Sequence, residues 1–274
     1  LLLKTGDRAD LTALRRQARQ TQEPSFPPKD VRRPSINSGT LFIVGGGLTE
    51  ELALRFINLL PSPEALIVII PTADSDPLPD KPSDLLRFRD VGASNIQLLK
   101  TRIPMELDNR STRELLEKAK AIWFSGGRQW RLVDLFEGTK ALNIIREVLC
   151  KQGVIGGSSA GASIQAEYLV RGDPLGNRNV MASGYTRGFN FLPGTAIDQH
   201  MLQRDRFEDM MNVIQRYPQL LGIGIDERTA VVIRGSEATV AGRHQVHFFN
   251  APSGKYQSLS AGQSYELIKR MRIQ

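Results

Sequence analysis

The residues with the most direct chemical potential form one short run, Gly156-Gly157-Ser158-Ser159-Ala160-Gly161-Ala162. A short strand-like segment, Gly153-Val154-Ile155, leads into it, and a helix-compatible pattern (Ile164, Ala166, Leu169) leaves it. Within the run, residues 157–161 fit G-x-S-x-G, in which a serine sits at the tip of a sharp strand-to-helix turn. The small residues let strand and helix approach closely, and the new helix aims backbone N–H groups at the site. A serine hydroxyl is a weak nucleophile and needs a base to take its proton. Three histidines are present, His200, His244 and His247. His244 and His247 fall in a segment that reads as a hairpin, 239–249, where packing or solvation accounts for them. His200 follows the strand-like run Thr195–Gln199 and precedes a polar helix, so it stands at a strand end, as Ser159 does. As base it would take the Ser159 Oγ proton and return it to a leaving amine.

Two further glycine turns follow apolar strands, Gly45-Gly46-Gly47 and Gly126-Gly127. The first resembles a dinucleotide turn only weakly, because no G-x-G-x-x-G with a downstream acid is present; a tight strand–helix connection is the expectation. The elements that carry these turns alternate. Strands are predicted at 40–44, 65–73, 95–99, 121–125 and 153–155, and helices at 49–60, 82–91, 112–120, 130–136 and 140–150. Continuous apolar runs such as Leu66-Ile67-Val68-Ile69-Ile70 fit parallel strands covered on both faces. Downstream lie irregular segments over 169–188, a polar helix over 201–217, and strands at 221–227, 229–233, 238–241, 245–249 and 263–268. The class is α/β: a mostly parallel sheet sandwiched by helices, with antiparallel strands at its C-terminal end. In such sheets ligands lie beyond the carboxyl ends of the strands, where all three glycine turns fall.

Composition narrows the function. The chain has 274 residues, a formal net charge of +7 and a sequence pI near 9.7. Much of the basic excess lies in the first forty or so residues, without the interleaved aromatics of a nucleic-acid surface. Nucleic acid is therefore not an expected partner. The single cysteine, Cys150, excludes a disulfide within the chain, and no Cys/His cluster suggests a metal. No apolar run is long enough to span a membrane. Residues 1–38 read as an extension or linker, with a polar helix at 10–19 capped by Asp10, then Pro24, Pro27, Pro28 and Pro34 barring regular structure. The globular domain is expected over 39–274. The chain starts without methionine, which suggests truncation or processing and leaves the compartment open.

Four motifs together resemble the cyanophycinase family of serine peptidases, related to aspartyl dipeptidase (peptidase E). They are Gly156–Ala162, Phe124-Ser125-Gly126-Gly127-Arg128-Gln129, Asp198-Gln199-His200-Met201-Leu202-Gln203-Arg204-Asp205-Arg206 and Gly222-Ile223-Gly224-Ile225-Asp226-Glu227-Arg228-Thr229-Ala230. The resemblance extends over roughly 40–270 and implies a fold like the class I glutamine amidotransferases. It implies Ser159 as nucleophile, His200 as base, and the N–H groups of Gly127 and Ala160 as the oxyanion hole. Gln129, Gln199, Arg204 and Arg206 match positions that hold an aspartyl group of the substrate. For the triad acid, Asp173 is the best match, with Asp198 and Glu167 as alternatives. Asp205 and Asp209 depart from the family pattern, standing where a glycine and a further arginine are expected. The implied activity is hydrolysis of cyanophycin, an aspartate backbone bearing arginine side groups, to β-aspartyl-arginine through an acyl-enzyme, with no metal or cofactor. A peptidase for aspartyl dipeptides and a catalytically silent binder of acidic peptides are the alternatives. The family tendency to dimerise implies a possible homodimer.

Overall fold

The computed structural model describes residues 14, 17–19, 26–62, 64–251 and 255–273. Five parallel strands form its centre: β1 (Thr40–Val44), β2 (Ile67–Ile70), β3 (Ile96–Leu98), β4 (Ala121–Phe124) and β5 (Val154–Ser158). Their spatial order is β1-β5-β4-β2-β3, and β5 lies between β1 and β4 with both pairings parallel. Four later strands extend this sheet antiparallel beyond β1: β9 (Thr229–Arg234), β10 (Glu237–Gly242), β13 (Ser264–Glu266) and β14 (Met271–Ile273).

Helices cover both faces, as the unbroken apolar strands require. One face packs α1 (Glu50–Ile57) and α2 (Ser83–Asp90) through Phe56 and Phe88 against Phe42 and Trp123. The other carries α3 (Arg110–Lys118), α4 (Gln129–Phe136), α5 (Lys140–Cys150) and the one-turn α6 (Ala160–Ser163), with Leu116, Phe136 and Ile145 in the same core as Ile43 and Phe124. Thr49 and Thr139 cap α1 and α5, each accepting a bond from the N–H three residues on at 3.3 Å.

The downstream strands do not all finish this sheet, as the sequence pattern suggested. A second, five-stranded sheet is built from β6 (Ala166–Tyr168), β7 (Leu192–Gln199), β8 (Leu221–Ile225), β11 (Gln245–Asn250) and β12 (Lys255–Ser260). Ile197, Ile223 and Val246 on one of its faces join the main core. Its other face packs Tyr168, Ala196 and Phe249 against α7 (Phe207–Arg216) through Met210, Val213 and Ile214.

Two local expectations change. The helix leaving the serine stops at Ser163 and the chain turns into β6, with the Gln165 side chain donating to the Gly161 carbonyl at 2.9 Å. The helix predicted from Met201 starts only at Phe207, because residues 201–206 form turns tied down by Asp226 and by the His200 carbonyl. Near the N-terminus, residues 14 and 17–19 are helical, whereas Asp10 lies outside the described residues. Residues 26–39 lack helix, as their prolines demand, and lie on the body: Phe26 stacks on Tyr168, and Pro28 accepts a bond from Gln219.

Candidate active site

Ser159 follows β5 directly and precedes α6 directly, with no residue to spare for a gradual turn. It takes φ 55° and ψ −111°, a conformation that L-residues avoid and that costs on the order of 1–3 kcal/mol. The surroundings enforce it. Its N–H bonds the Val44 carbonyl at 3.0 Å, and its carbonyl accepts from Ala162 at 2.9 Å. Gly161 is required because a Cβ there would lie 2.0 Å from the Phe124 carbonyl oxygen. The result is a hydroxyl lifted above the carboxyl ends of three adjacent strands.

The Ser159 Oγ lies 2.9 Å from His200 Nε2. His200 arrives from the second sheet, one residue past β7, and its own N–H bonds the Gly45 carbonyl at 2.9 Å. Gly46 makes room for the imidazole: a Cβ at that position would lie 2.3 Å from His200 Cε1. The Gly45–Gly47 turn is thus a junction that receives the histidine, and the Gly46 carbonyl also accepts from the Arg228 N–H at 2.7 Å.

The other imidazole nitrogen, Nδ1, is 2.6 Å from Glu227 Oε1. Glu227 sits in the two-sheet crossing between β8 and β9. Its neighbour Asp226 braces that crossing, accepting from the Leu202 N–H at 2.9 Å, from Gln245 N–H at 3.1 Å, and pairing with His247 Nε2 at 3.2 Å. Despite burial, His247 and those two N–H groups hold the Asp226 carboxyl below the ordinary carboxylate range. Burial, then the Arg204 guanidinium, push His200 below its usual value, and Glu227 pulls it back upward. The imidazole is therefore neutral and able to accept a proton at neutral pH.

The Gly126–Gly127 turn flanks the hydroxyl. A Cβ on Gly126 would lie 3.3 Å from Ser159 Cβ and 3.9 Å from its Oγ. Ala160 opens α6, so its N–H has no acceptor within that helix. A cleft of about 410 Å³ opens on this side of Ser159, lined by Leu48, Asp74, Asp84, Arg87 and the two glycines. A strained serine bonded to a histidine that is bonded in turn to a carboxylate, beside a glycine turn, is the constellation of a serine hydrolase. The chain matches peptidase family S51 over residues 41–241. It belongs to that family.

Proteins named cyanophycinase are among its relatives. That of Geminocystis herdmanii (strain PCC 6308) is 29% identical over 204 residues, spanning 72% of this chain and 75% of the relative. That of Trichormus variabilis (strain ATCC 29413 / PCC 7937) is 28% identical over 211 residues, spanning 74% and 70%. A peptidase from an acI-B1 actinobacterium shares the fold with a TM-score of 0.68 at 24% identity, over 84% of this chain and 97% of its own. A putative peptidase E from Listeria monocytogenes EGD-e does so with a TM-score of 0.56 at 17% identity, over 75% and 99%. The chain is accordingly a peptidase of the serine type, a hydrolase acting on peptide substrate.

In this S51 peptidase the three carboxylates expected at His200 lie elsewhere. Asp173 is buried in its own loop, accepting from the Leu175 N–H at 2.9 Å and from Asn179 Nδ2 at 2.8 Å. Asp198 is fully buried between Arg171 Nε at 2.9 Å and Arg206 Nη1 at 3.0 Å. Glu167 accepts from the Gly194 N–H at 2.6 Å and pairs with Arg32 at 3.2 Å. Each is held by partners of its own, and Glu227 occupies the place proposed for Asp173.

The expected substrate residues divide. Gln199 is at the site, with Oε1 3.4 Å from Ser159 Oγ. Arg204 is exposed beside His200, its N–H bonded to the His200 carbonyl at 3.0 Å. Gln129 is buried at the start of α4, with Nε2 3.5 Å from the Val170 carbonyl. Arg206 departs from the expectation: buried, it bonds Asp198 and the Gln199 carbonyl through Nη1, at 3.0 and 2.9 Å. It braces the Gln199 backbone where a ligand contact was expected. Asp209, which stands where the resemblance expects an arginine, accepts from Arg171 Nη2 at 2.6 Å, so that Asp209, Arg171, Asp198 and Arg206 form in that order a chain of alternating charges behind the site. Among the described residues, no group of three or more His, Cys, Asp and Glu is arranged to hold a metal, and no helix is long and apolar enough to cross a membrane.

Proposed function

We propose that this protein hydrolyses cyanophycin, releasing β-aspartyl-arginine from a chain end, with Ser159, His200 and Glu227 as the catalytic triad. The observation that carries the reading is the unbroken relay from Ser159 Oγ to His200 at 2.9 Å and from His200 to Glu227 at 2.6 Å. The similarity to proteins named cyanophycinase supports the substrate.

In this mechanism Ser159 Oγ attacks the scissile carbonyl carbon while its proton passes to His200 Nε2. The carbonyl oxygen becomes an oxyanion and takes hydrogen bonds from the N–H groups of Gly127 and Ala160. Glu227 fixes the imidazole tautomer through Nδ1–H and stabilises the imidazolium. The intermediate collapses with cleavage of the C–N bond, and His200 gives its proton to the leaving amine. A water, deprotonated by His200, then hydrolyses the acyl-enzyme, freeing the carboxylate product and the serine. Gln199 and Arg204, beside the hydroxyl and the imidazole, hold the aspartyl group.

The test is turnover of purified cyanophycin against aspartyl dipeptides, with mass spectrometry locating a phosphonate adduct. Cleavage of the polymer, a single adduct on Ser159 and loss of both in Ser159→Ala are expected. A Ser159→Ala variant that turns over cyanophycin at the wild-type rate overturns the mechanism, and turnover of dipeptides alone overturns the substrate.

A further inference from the structure

The charges around Ser159 are not evenly spread. On the His200 side stands the exposed Arg204. On the opposite side, the cleft presents two carboxylates, Asp74 and Asp84, and one cation, Arg87. Two other arginines reach the Asp74 backbone and are held by partners of their own. Arg102 and Arg131 both bond the Asp74 carbonyl and pair with Asp76.

Asp84 is an unusual residue to find there. It lies in the first turn of α2 and is only 8% exposed, yet it lines the cleft. Beneath it, the Trp123 indole N–H and the Ser125 hydroxyl are buried and neither closes a well-formed hydrogen bond. Both face the Asp84 carboxyl and favour its ionised form. Burial raises that carboxyl above the ordinary range; Ser125 and Trp123 oppose the shift, and Asp74 adds to it. A buried acid with donors waiting beneath it is poised to ionise when a cation enters, because the cation removes the cost of desolvation. Arg87, three residues on along α2, stands at the same cleft as Asp84, and its ion pair with Asp90 is long at 3.8 Å.

We propose that this cleft is a subsite for an arginyl side group of the substrate, with Asp84, aided by Asp74, receiving the guanidinium and Arg87 the α-carboxylate. The proposal rests on the peptidase reading above and adds the second half of the substrate to it. An arginine joined through its α-amino group, as in cyanophycin, keeps both of those charged ends free. The nucleophile then lies between a cationic wall for the aspartyl carboxylate and an anionic cleft for the arginyl group.

The experiment measures protection of Ser159 from a small uncharged phosphonate, on the full chain, by Nα-acetyl-arginine, agmatine and the neutral isostere Nα-acetyl-citrulline. Wild type should be protected by acetyl-arginine at least about tenfold better than by acetyl-citrulline, as a charge-assisted bond requires. Asp84→Asn should remove that preference and Asp74→Asn should weaken it, each variant's unprotected labelling rate serving as its reference. Arg87→Gln should weaken protection by acetyl-arginine and leave agmatine unaffected. Equal protection by the two acetylated ligands in wild type, or an arginine preference untouched in both aspartate variants, overturns the proposal. If arginine preference is found but cyanophycin is not cleaved, the subsite stands and the substrate reading falls. If Ser159 is not labelled at all, the peptidase mechanism falls, and calorimetry with acetyl-arginine and acetyl-citrulline decides the subsite alone.

Discussion

Replacing Glu227 by Gln keeps the shape of the side chain and removes its charge, and so isolates what the carboxylate does for His200. With Oε1 2.6 Å from Nδ1, the charge centres of carboxylate and imidazolium are about 4 Å apart, an attraction of about 4 kcal/mol at an effective dielectric of about 20. The Glu227 side chain is 34% exposed, so water screens part of this, and about 2–3 kcal/mol is a fair expectation. That corresponds to a loss in kcat/KM of about 30- to 160-fold. Because Glu227 supports the protonated imidazole, its removal also moves the acid limb of the pH–rate profile to lower pH. Steady-state hydrolysis over pH 4–8, with Asp173→Asn as the comparison, measures both effects. The Asp173 carboxylate accepts from Leu175 and Asn179 of its own loop and does not reach His200, so its variant should lose less than about threefold in rate. If Asp173→Asn is slowed as much as Glu227→Gln, or if the acid limb of Glu227→Gln moves upward, the assignment of the acid is wrong.

Arg204→Gln removes a cation that lowers the His200 pKa, so its acid limb should move to higher pH, toward the unperturbed value near 6.5. The depressed His200 pKa also makes the unfolded chain bind more protons just below pH 6.5; stability should rise with pH through that window and level off above it, as urea melts at several pH values will show. Gly46→Ala places a methyl where the imidazole stands and should displace His200, cutting phosphonate labelling by at least about a hundredfold with little change in circular dichroism. Asp198→Asn strips the shared anion from two buried arginines and should cost on the order of 3–5 kcal/mol in urea unfolding; a loss under about 1 kcal/mol would refute the account of that cluster.

What the sequence reveals and what it hides follow from the range of the interactions. Ser159 is legible because its environment is local: a strand, small residues and a helix start lie within a few positions of it. His200 is legible from its rarity and its place at a strand end. The parallel strands β1, β2 and β4 announce themselves through apolar runs that a doubly covered sheet accommodates. Glu227 carries a similar positional signal, an acid two residues past the strand Leu221–Ile225, but it shares that signal with Asp226. Its partnership with His200 is hidden because that strand reads as part of the main sheet, whereas it belongs to the second and brings its loop back to the turn that follows β1. The burial of Arg206 was hidden for a similar reason: its partner Asp198 lies on β7, and nothing in the local pattern shows that the two charges fold against each other. The second sheet itself was hidden, since alternating short strands do not say which edge they join.

The relay at the site is drawn from both sheets, with Ser159 at the end of β5 and His200 and Glu227 delivered by β7 and β8. Glu227 enters only with the last fifth of the chain. During synthesis, then, the serine and its strained turn exist long before anything can activate them. A ribosome-bound chain ending before β8 has no acid, and one ending before β7 has no base. The architecture makes latency a property of incompleteness: no fragment that ends before that crossing carries the full relay. The β8–β9 crossing is in that sense the arming step of the molecule, the connection on which hydrolytic competence waits.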